Sequence, residues 1–411
     1  MKVAYHSPLP PSRSGIADYS ALLLPALARR VEVEIARPGR FRSRPRGDVA
    51  LYHVGNDPEA HGWIVDALRR RPGVVVLHEF VLHHLVSGLT LARGDSAGYL
   101  DALEQEHGLV GRLLGYAVLD NRIPPLWETR PEDFPLAGGV LELATGLVVH
   151  SRYVEGLARA AGFERPIWRI PHPAWEPPAV PAADVGGAPL VGCFGNLNAS
   201  KRIPQLLDAF ASLHRRRPAA RLLLVGAVAP RFDLERRLER LQLGDSVQRE
   251  AYVDGARLWA LMAACDVCVN LRAPTMGETS GTAIRALSLG KPLVVSEVGW
   301  FAELPGEAAV KVPVDESETE MLEAALELLA RSPETRAAMG SAARATALAE
   351  HDLERVAEAY AAALEQAAGG AAVAEAVASD VARAASEIGI EPTDPEVAEL
   401  GRRLGEIGLG R

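Results

Sequence analysis

NLRAPTMGETSGTAIRALSLGKP, running from Asn270 to Pro292, is the stretch on which the reading of this chain turns. Val267–Leu271 is an apolar strand that leads into it. The polar loop that follows carries Gly277 and Gly281 and opens a helix ending near Gly290. The unpaired N–H groups and positive dipole end of such a helix attract anions, phosphates above all. Glu278 stands among them, where a carboxylate can accept the hydroxyls of a sugar or a ribose. A phosphate cradle beside a sugar-reading acid points to a nucleotide-sugar site. Strand–loop–helix units are common, however, and Ser280 also fits a plain N-cap.

On both sides of that stretch, apolar strands alternate with amphipathic helices. In the first half, strands are predicted at Val3–Tyr5, Val31–Ala36, Val49–His53, Val74–Leu77, Leu147–Val149 and Pro166–Ile170. Helices are predicted there at Ile16–Arg29, Pro58–Arg70 and Tyr153–Ala160. Pro171–Gly187, PHPAWEPPAVPAADVGG, reads as an interdomain linker. The alternation then restarts with strands at Leu190–Phe194, Arg221–Val225, Val247–Tyr252, Val267–Leu271 and Leu293–Val295. Ile203–Arg215 and Phe232–Leu241 are helices between them.

This pattern predicts an α/β chain of two doubly wound, Rossmann-like domains, each a parallel sheet covered on both faces. Their carboxyl strand ends would face each other across a cleft. The expected domains are 1–172 on the acceptor side and 173–350 on the donor side. Thr319–Ala330, Pro333–Leu348 and Leu353–Ala367 are helical, and segment 351–368 is expected to cross back to the first domain. Segment 369–411 is an Ala-rich tail with helical periodicity over Ala371–Ile388 and Pro395–Ile407. That tail could dock on the body, pair with a second subunit or stay mobile.

A length of 411 residues is too great for one ordinary core. Apolar content of 48% and charged content of 24% are those of a soluble globular protein. The net charge of −9 excludes a general binder of nucleic acid polymers. Cys193, Cys265 and Cys268 make no disulfide framework, and the last two read as small core residues of a strand rather than a redox or zinc pair. Met1–Pro11 has no apolar h-region, and no apolar run is long enough to span a bilayer, so the cytoplasm is the expected location. Arg37, Arg40, Arg42, Arg44 and Arg46, with Arg69–Arg71, make the first domain locally basic. They read as a solvated loop, or as a contact for an anionic acceptor or a peripheral membrane surface.

Several local signatures resemble glycosyltransferase family 4, whose fold is GT-B. They are SPLPPSRSGIADY (Ser7–Tyr19), GNLNASKR (Gly195–Arg202), Leu224-Val225-Gly226, Ala264-Cys265-Asp266-Val267 and GKPLVV (Gly290–Val295). The resemblance covers most of Met1–Ala367 in organisation. It implies transfer of a sugar, with retention at the anomeric carbon, from a nucleotide diphosphate sugar to an acceptor hydroxyl. The acceptor could be a saccharide, a lipid carrier or a small molecule. No cofactor is expected, and no acidic DxD-type pair or His/Cys spacing marks a metal site.

The resemblance also assigns residues. Lys201 matches the family's phosphate-contacting lysine and is expected to stabilise the leaving group, with Arg202 beside it. Any single lysine is otherwise a solvated surface group. Gly15 lets backbone approach the ligand, or makes an ordinary turn. Thr279, Ser280, Gly281 and Thr282 offer N–H groups and hydroxyls to the diphosphate. Glu278 matches the first acid of a Glu-x7-Glu motif that contacts the donor sugar. His78, ending a strand, matches the active-site histidine. Asp18, Tyr19, His53, Asn56 and His150 are acceptor-side candidates, with His83 and His84 behind them, although a lone histidine is more often structural.

Two positions depart from the family pattern. The second acid should fall at Ala286 or at Arg285, and neither is acidic; Asn196 stands where the family commonly has an arginine. Arg285 could supply the charge that Asn196 lacks and bind diphosphate, or it could pair with Glu278 or turn to solvent. The missing acid motivates a different class of function, an inactive sugar-nucleotide-binding subunit with the C-terminal helices as its partner surface. A GT-B isomerase of the nucleotide-sugar 2-epimerase kind would use the same cleft.

Overall fold

The computed structural model describes every residue except 13, 40–46, 231, 370, 388, 390–401 and 403–411. Most of the predicted arginine run, Arg40, Arg42, Arg44 and Arg46, and nearly all of the predicted helix at Pro395–Ile407 thus lie outside the described residues. The chain divides into two compact units, 1–171 with 354–411, and 172–353.

The sheet of the first unit holds β1 (Lys2–His6), β2 (Glu32–Ile35), β3 (Val49–Val54), β4 (Gly73–Leu77), β5 (Ala144–Val149) and β6 (Ile167–Arg169). All pair in parallel, in the order β2-β1-β3-β4-β5-β6. β3 and β4 are buried along their whole length, as near-continuous runs of Val, Leu and Ala require of a sheet covered on both faces. Helices α1 (Gly15–Leu27), α2 (Pro58–Arg70), α3 (His83–Leu89), α4 (Ser96–Leu119), α5 (Leu126–Thr129), α6 (Gly138–Leu143) and α7 (Arg152–Ala160) provide that cover. Ser14, Asp57, Asp95 and Ser151 cap four of them by accepting first-turn N–H bonds. The block between β4 and β5 had drawn no element from its sequence. It folds as α3 to α6 around a small core of Tyr99, Leu103, Val118, Leu126, Phe134 and Leu136.

In the second unit, β7 (Leu190–Phe194), β8 (Arg221–Val225), β9 (Val247–Glu250), β10 (Val267–Asn270), β11 (Leu293–Ser296) and β12 (Ala309–Val312) form a parallel sheet in the order β12-β11-β10-β7-β8-β9. β12 is an addition to the predicted strands; AVKV is too short to show a period. Helices α8 (Ile203–Arg216), α9 (Leu234–Arg240), α10 (Gly255–Ala264), α11 (Gly281–Ser288), α12 (Glu318–Arg331) and α13 (Pro333–Glu350) cover the sheet. The supposed linker is not a free tether. Ala174 N donates to His351 O at 2.7 Å and Ala183 N to Ala260 O at 2.9 Å, while Trp175 and Val185 pack against the core of this unit. Cys193, Cys265 and Cys268 are buried free thiols.

After α13 the chain returns to the first unit as α14 (Leu353–Ala368) and α15 (Ala371–Glu387). Tyr360 of α14 and Tyr19 of α1 are fully buried and share a hydroxyl–hydroxyl bond of 2.7 Å. No helix among the described residues is long and apolar enough to cross a membrane.

Candidate functional site

In the second unit the strand order runs outward from β7 in one direction and from β10 in the other. Such a switch point leaves a crevice outside the carboxyl ends of the two central strands. The loops 195–202 and 271–280 start there.

The first loop turns at Gly195, which has φ +96°, and a Cβ on this residue would collide with the Lys201 ammonium. Lys201 folds back so that Nζ donates to Phe194 O at 2.8 Å, while its backbone N–H donates to Asn198 Oδ1 at 3.0 Å. The residue as a whole is half-buried. Burial, and then the neighbouring Arg272 guanidinium, push its pKa down to about 7, against smaller upward pulls from Cys193 and Glu278. Asn196 is exposed on the same loop.

Arg202 begins α8 in the left-handed region at φ +53°. Its Nε donates to Glu318 Oε1 at 2.8 Å and its Nη2 pairs with Glu318 Oε2. Glu318 is buried at the start of α12, so this ion pair ties α8 to α12.

The second loop is organised by Arg272, a residue the sequence reading passed over. Its N–H donates to Ser296 Oγ at 2.9 Å and its Nη1 to Leu271 O at 2.9 Å. Its Nε donates to Glu278 Oε1 at 2.6 Å. The other oxygen of Glu278 accepts from Met276 N–H at 2.8 Å and from Thr275 Oγ1 at 3.1 Å. Glu278 therefore holds the loop closed and neutralises Arg272.

Ser280 is the N-cap of α11, accepting from Ala283 N–H at 3.3 Å. Asn270, ending β10, donates through Nδ2 to Ser280 Oγ at 3.0 Å and to Thr282 Oγ1 at 2.8 Å. Asn270 Oδ1 and Thr279 Oγ1 are buried with no hydrogen-bond partner among the described residues. Buried polar atoms seldom stay unpaired. Asn270 was also passed over, although an amide closing the apolar run VCVN at a crevice is a readable signal.

Arg285, for which the sequence left diphosphate, Glu278 and solvent open, packs against aromatic rings. Its guanidinium carbon lies 3.7 Å from the centre of the Trp175 ring and 6.0 Å from that of Trp259. The Trp175 ring also comes within 3.4 Å of where a Cβ on Gly281 would stand. From the last turn of α11 the Arg285 side chain thus reaches back towards Gly281, stacked on an aromatic face.

The first unit brings together four of its predicted residues at the carboxyl ends of β3, β4 and β5. His53 Nδ1 and His78 Nε2 share a bond of 3.0 Å. His150 Nδ1 donates to Ile170 O at 2.7 Å. The Tyr19 ring meets His78 edge-on at 4.7 Å and lies 5.3 Å from His150. Burial drives the pKa of His53 well below its usual value, with His150 next in effect, so the His53 ring is neutral. His53 Nε2 is buried without a partner among the described residues. Asn56 is committed to its surroundings, its N–H donating to Glu79 Oε2 at 2.7 Å and its Oδ1 accepting from Leu85 N–H at 2.9 Å. His83 is bound on both ring nitrogens, to Phe134 O at 2.7 Å and Tyr99 Oη at 2.9 Å. His84, Asp18 and Gly15 are exposed, and nothing lies within 4 Å of a Cβ placed on Gly15. No group of three or more His, Cys, Asp or Glu among the described residues is arranged to hold a metal ion.

Comparison with known proteins gives an independent reading. Sucrose-phosphate synthase from Thermosynechococcus elongatus superposes with a TM-score of 0.62 at 19% identity, over 89% of this chain and 98% of that one. Anabaena HepE, solved in complex with UDP and glucose, gives 0.60 at 16% identity, over 89% and 99%. The pneumococcal O-GlcNAc transferase GtfA, in complex with UDP and GlcNAc, gives 0.52 at 14% identity, over 77% and 57%. A comparison with curated proteins finds no match. Residues 182–346 match the family model for glycosyl transferases group 1, a span that contains both loops of the crevice. The chain has the GT-B fold, and over residues 182–346 it is similar to the glycosyl transferases group 1.

Proposed function

We propose that the protein transfers a sugar, with retention, from a nucleotide diphosphate sugar to an acceptor hydroxyl, and that the diphosphate lies at the β7/β10 crevice. One observation carries this reading. Two cations, Lys201 and Arg272, share the crevice against the single carboxylate of Glu278, and the surplus charge is what lowers the Lys201 pKa beyond burial alone. A diphosphate would complete that balance, with the first turn of α11 and the unpaired Thr279 hydroxyl adding donors. The similarity to HepE, solved with UDP and glucose, favours a uridine diphosphate donor. As the bond to the anomeric carbon breaks, charge collects on the leaving diphosphate, and Lys201 and Arg272 neutralise it where it forms. The acceptor hydroxyl attacks from the face the diphosphate leaves. We assign acceptor recognition to the polar ends of β3, β4 and β5, His78 among them.

The test is release of free nucleotide from a panel of sugar nucleotides, with and without acceptors. Turnover of a UDP-sugar in the presence of one acceptor class is the expected result. Lys201→Ala should lower kcat by about 10²–10³-fold, the usual cost of losing one donor to developing negative charge. Binding with no turnover across the panel would favour the inactive subunit, and recovery of a 2-epimeric sugar nucleotide would favour the isomerase.

A further inference from the structure

His53 is fully buried on β3, so it can act on a substrate only through a neighbour. That neighbour is His78. In the parallel pairing of β3 with β4, His53 stands opposite Val76, and His78, two residues further on, leaves the same face of the sheet. The His78 N–H donates to Val54 O at 3.0 Å, which carries the register beyond the end of β4. His61 Nδ1 donates to His53 O at 3.1 Å and ties α2 to the same point. The two rings are thereby held with 27° between their planes and 5.2 Å between their centres, and His53 Nδ1 lies 3.0 Å from His78 Nε2.

A hydrogen bond between two ring nitrogens needs one to donate and the other to accept. Burial, and then the charges that His150, His61 and His6 would carry, keep His53 neutral, so it holds one ring proton. On Nε2 that proton would be a buried donor with no acceptor among the described residues. The two tyrosines beside the ring bond to other groups, Tyr5 Oη to Ser20 Oγ at 3.0 Å and Tyr19 Oη to Tyr360 Oη at 2.7 Å. On Nδ1 the proton makes the bond to His78, and only a lone pair is left unused at Nε2. An orphaned buried N–H is rarer than an under-used acceptor, so the proton belongs on Nδ1.

We infer that His53 is a positioning residue: it donates Nδ1–H to His78 Nε2 and so fixes the ring plane of His78 and its tautomer, with the His78 proton on Nδ1. His78 then meets a substrate oxygen as a hydrogen-bond donor, and its Nε2 is not available to take a proton from one. The inference rests on the acceptor role proposed above for the end of β4.

Long-range proton–nitrogen spectra of the full chain, made with isotopically labelled histidine, read the tautomers without reference to turnover. The two rings are assigned from the signals lost in His53→Asn and in His78→Gln. In the wild-type chain both rings should carry a single proton, on Nδ1, and in His53→Phe the His78 ring should lose its single tautomer. His53→Phe should lower kcat/KM for the acceptor by about tenfold, the worth of one buried hydrogen bond, and leave KM for the sugar nucleotide unchanged. His53→Asn, whose amide N–H stands near the place of the ring Nδ1–H, should recover about threefold of that loss. A His78 proton on Nε2, or on both nitrogens, in the wild-type chain overturns the inference. So does a His53→Phe chain whose kcat/KM for the acceptor is unchanged, or whose loss His53→Asn does not recover. If the wild-type chain turns over no sugar nucleotide, the transferase reading fails, while the spectra still decide the tautomer.

Discussion

At the scale of single residues, Lys201 is an ammonium held where its charge is costly. Its pKa near 7 means that the cation a diphosphate needs is only partly present at neutral pH. Diphosphate would favour the charged form, so binding should draw a proton onto Lys201. Affinity for UDP should therefore weaken as pH rises above 7, by up to about tenfold per unit until the bound-state pKa is reached. Titration calorimetry between pH 6 and 9 measures this, and Lys201→Arg, permanently charged, should flatten the profile. A wild-type profile that is already flat would remove Lys201 from the phosphate site. The linkage to folding has a defined sign. Between pH 7 and 10.5 the folded chain holds fewer protons at this site than the unfolded chain, so the contribution of Lys201 to stability rises with pH across that window. Lys201 was singled out by its match to the phosphate-contacting lysine of the family that the sequence resembles. Arg272 was not, since an arginine after an apolar strand is commonplace and its role depends on Glu278 folding back to it.

At the scale of elements, the carboxyl edge of the first sheet and the helices behind it bury histidines that stay neutral. Burial lowers His6, His61 and His83 to about 4, despite backbone bonds that favour their charged forms. The folded state thus binds fewer protons than the unfolded state between about pH 4 and 6.5, and stability must fall as pH drops through that range. Each fully expressed group contributes about 1.4 kcal/mol per pH unit. Urea midpoints measured at pH 7, 6 and 5 should decline steadily, and His83→Gln should reduce the slope by the share of one histidine. A midpoint independent of pH from 7 to 5 would contradict the buried neutral state. The strands were legible as elements because parallel strands covered on both faces read as apolar runs, such as VVVL at Val74–Leu77 and LVV at Leu147–Val149. The insertion between β4 and β5 was not, because α5 and α6 are only 4 and 6 residues long and α4 is interrupted at Gly108, so no helical period persists.

At the scale of the whole molecule, strand–helix alternation on both sides of 171–187 was enough to indicate two doubly wound sheets. What the sequence withheld was where distant segments land. Tyr19 and Tyr360 are 341 positions apart, and a helical period in either segment says nothing of its partner. The same holds for α15. Its periodicity was visible, but docking on the body, pairing with a second subunit and mobility all fitted it. Arg165 decides the matter for the described part of the tail. Its Nη1 is fixed by the carbonyls of Leu141, Glu142 and Ala144 at 3.0–3.2 Å, and its Nη2 reaches Asp380 with bonds of 2.8 and 2.6 Å. Ser379 adds a bond to Glu164 at 2.9 Å. Because Arg165 is anchored without α15, removing the carboxylate should free the helix and spare the sheet. A two-pronged arginine–carboxylate bond with one half-exposed partner is worth about 1 kcal/mol. Asp380→Ala should therefore speed amide exchange severalfold across 371–387 and leave that of β5 and β6 unchanged. Exchange that rises equally in helix and strands would mean that α15 is part of the cooperative core of the first unit, and unchanged exchange would mean that α15 is held in place without the ion pair.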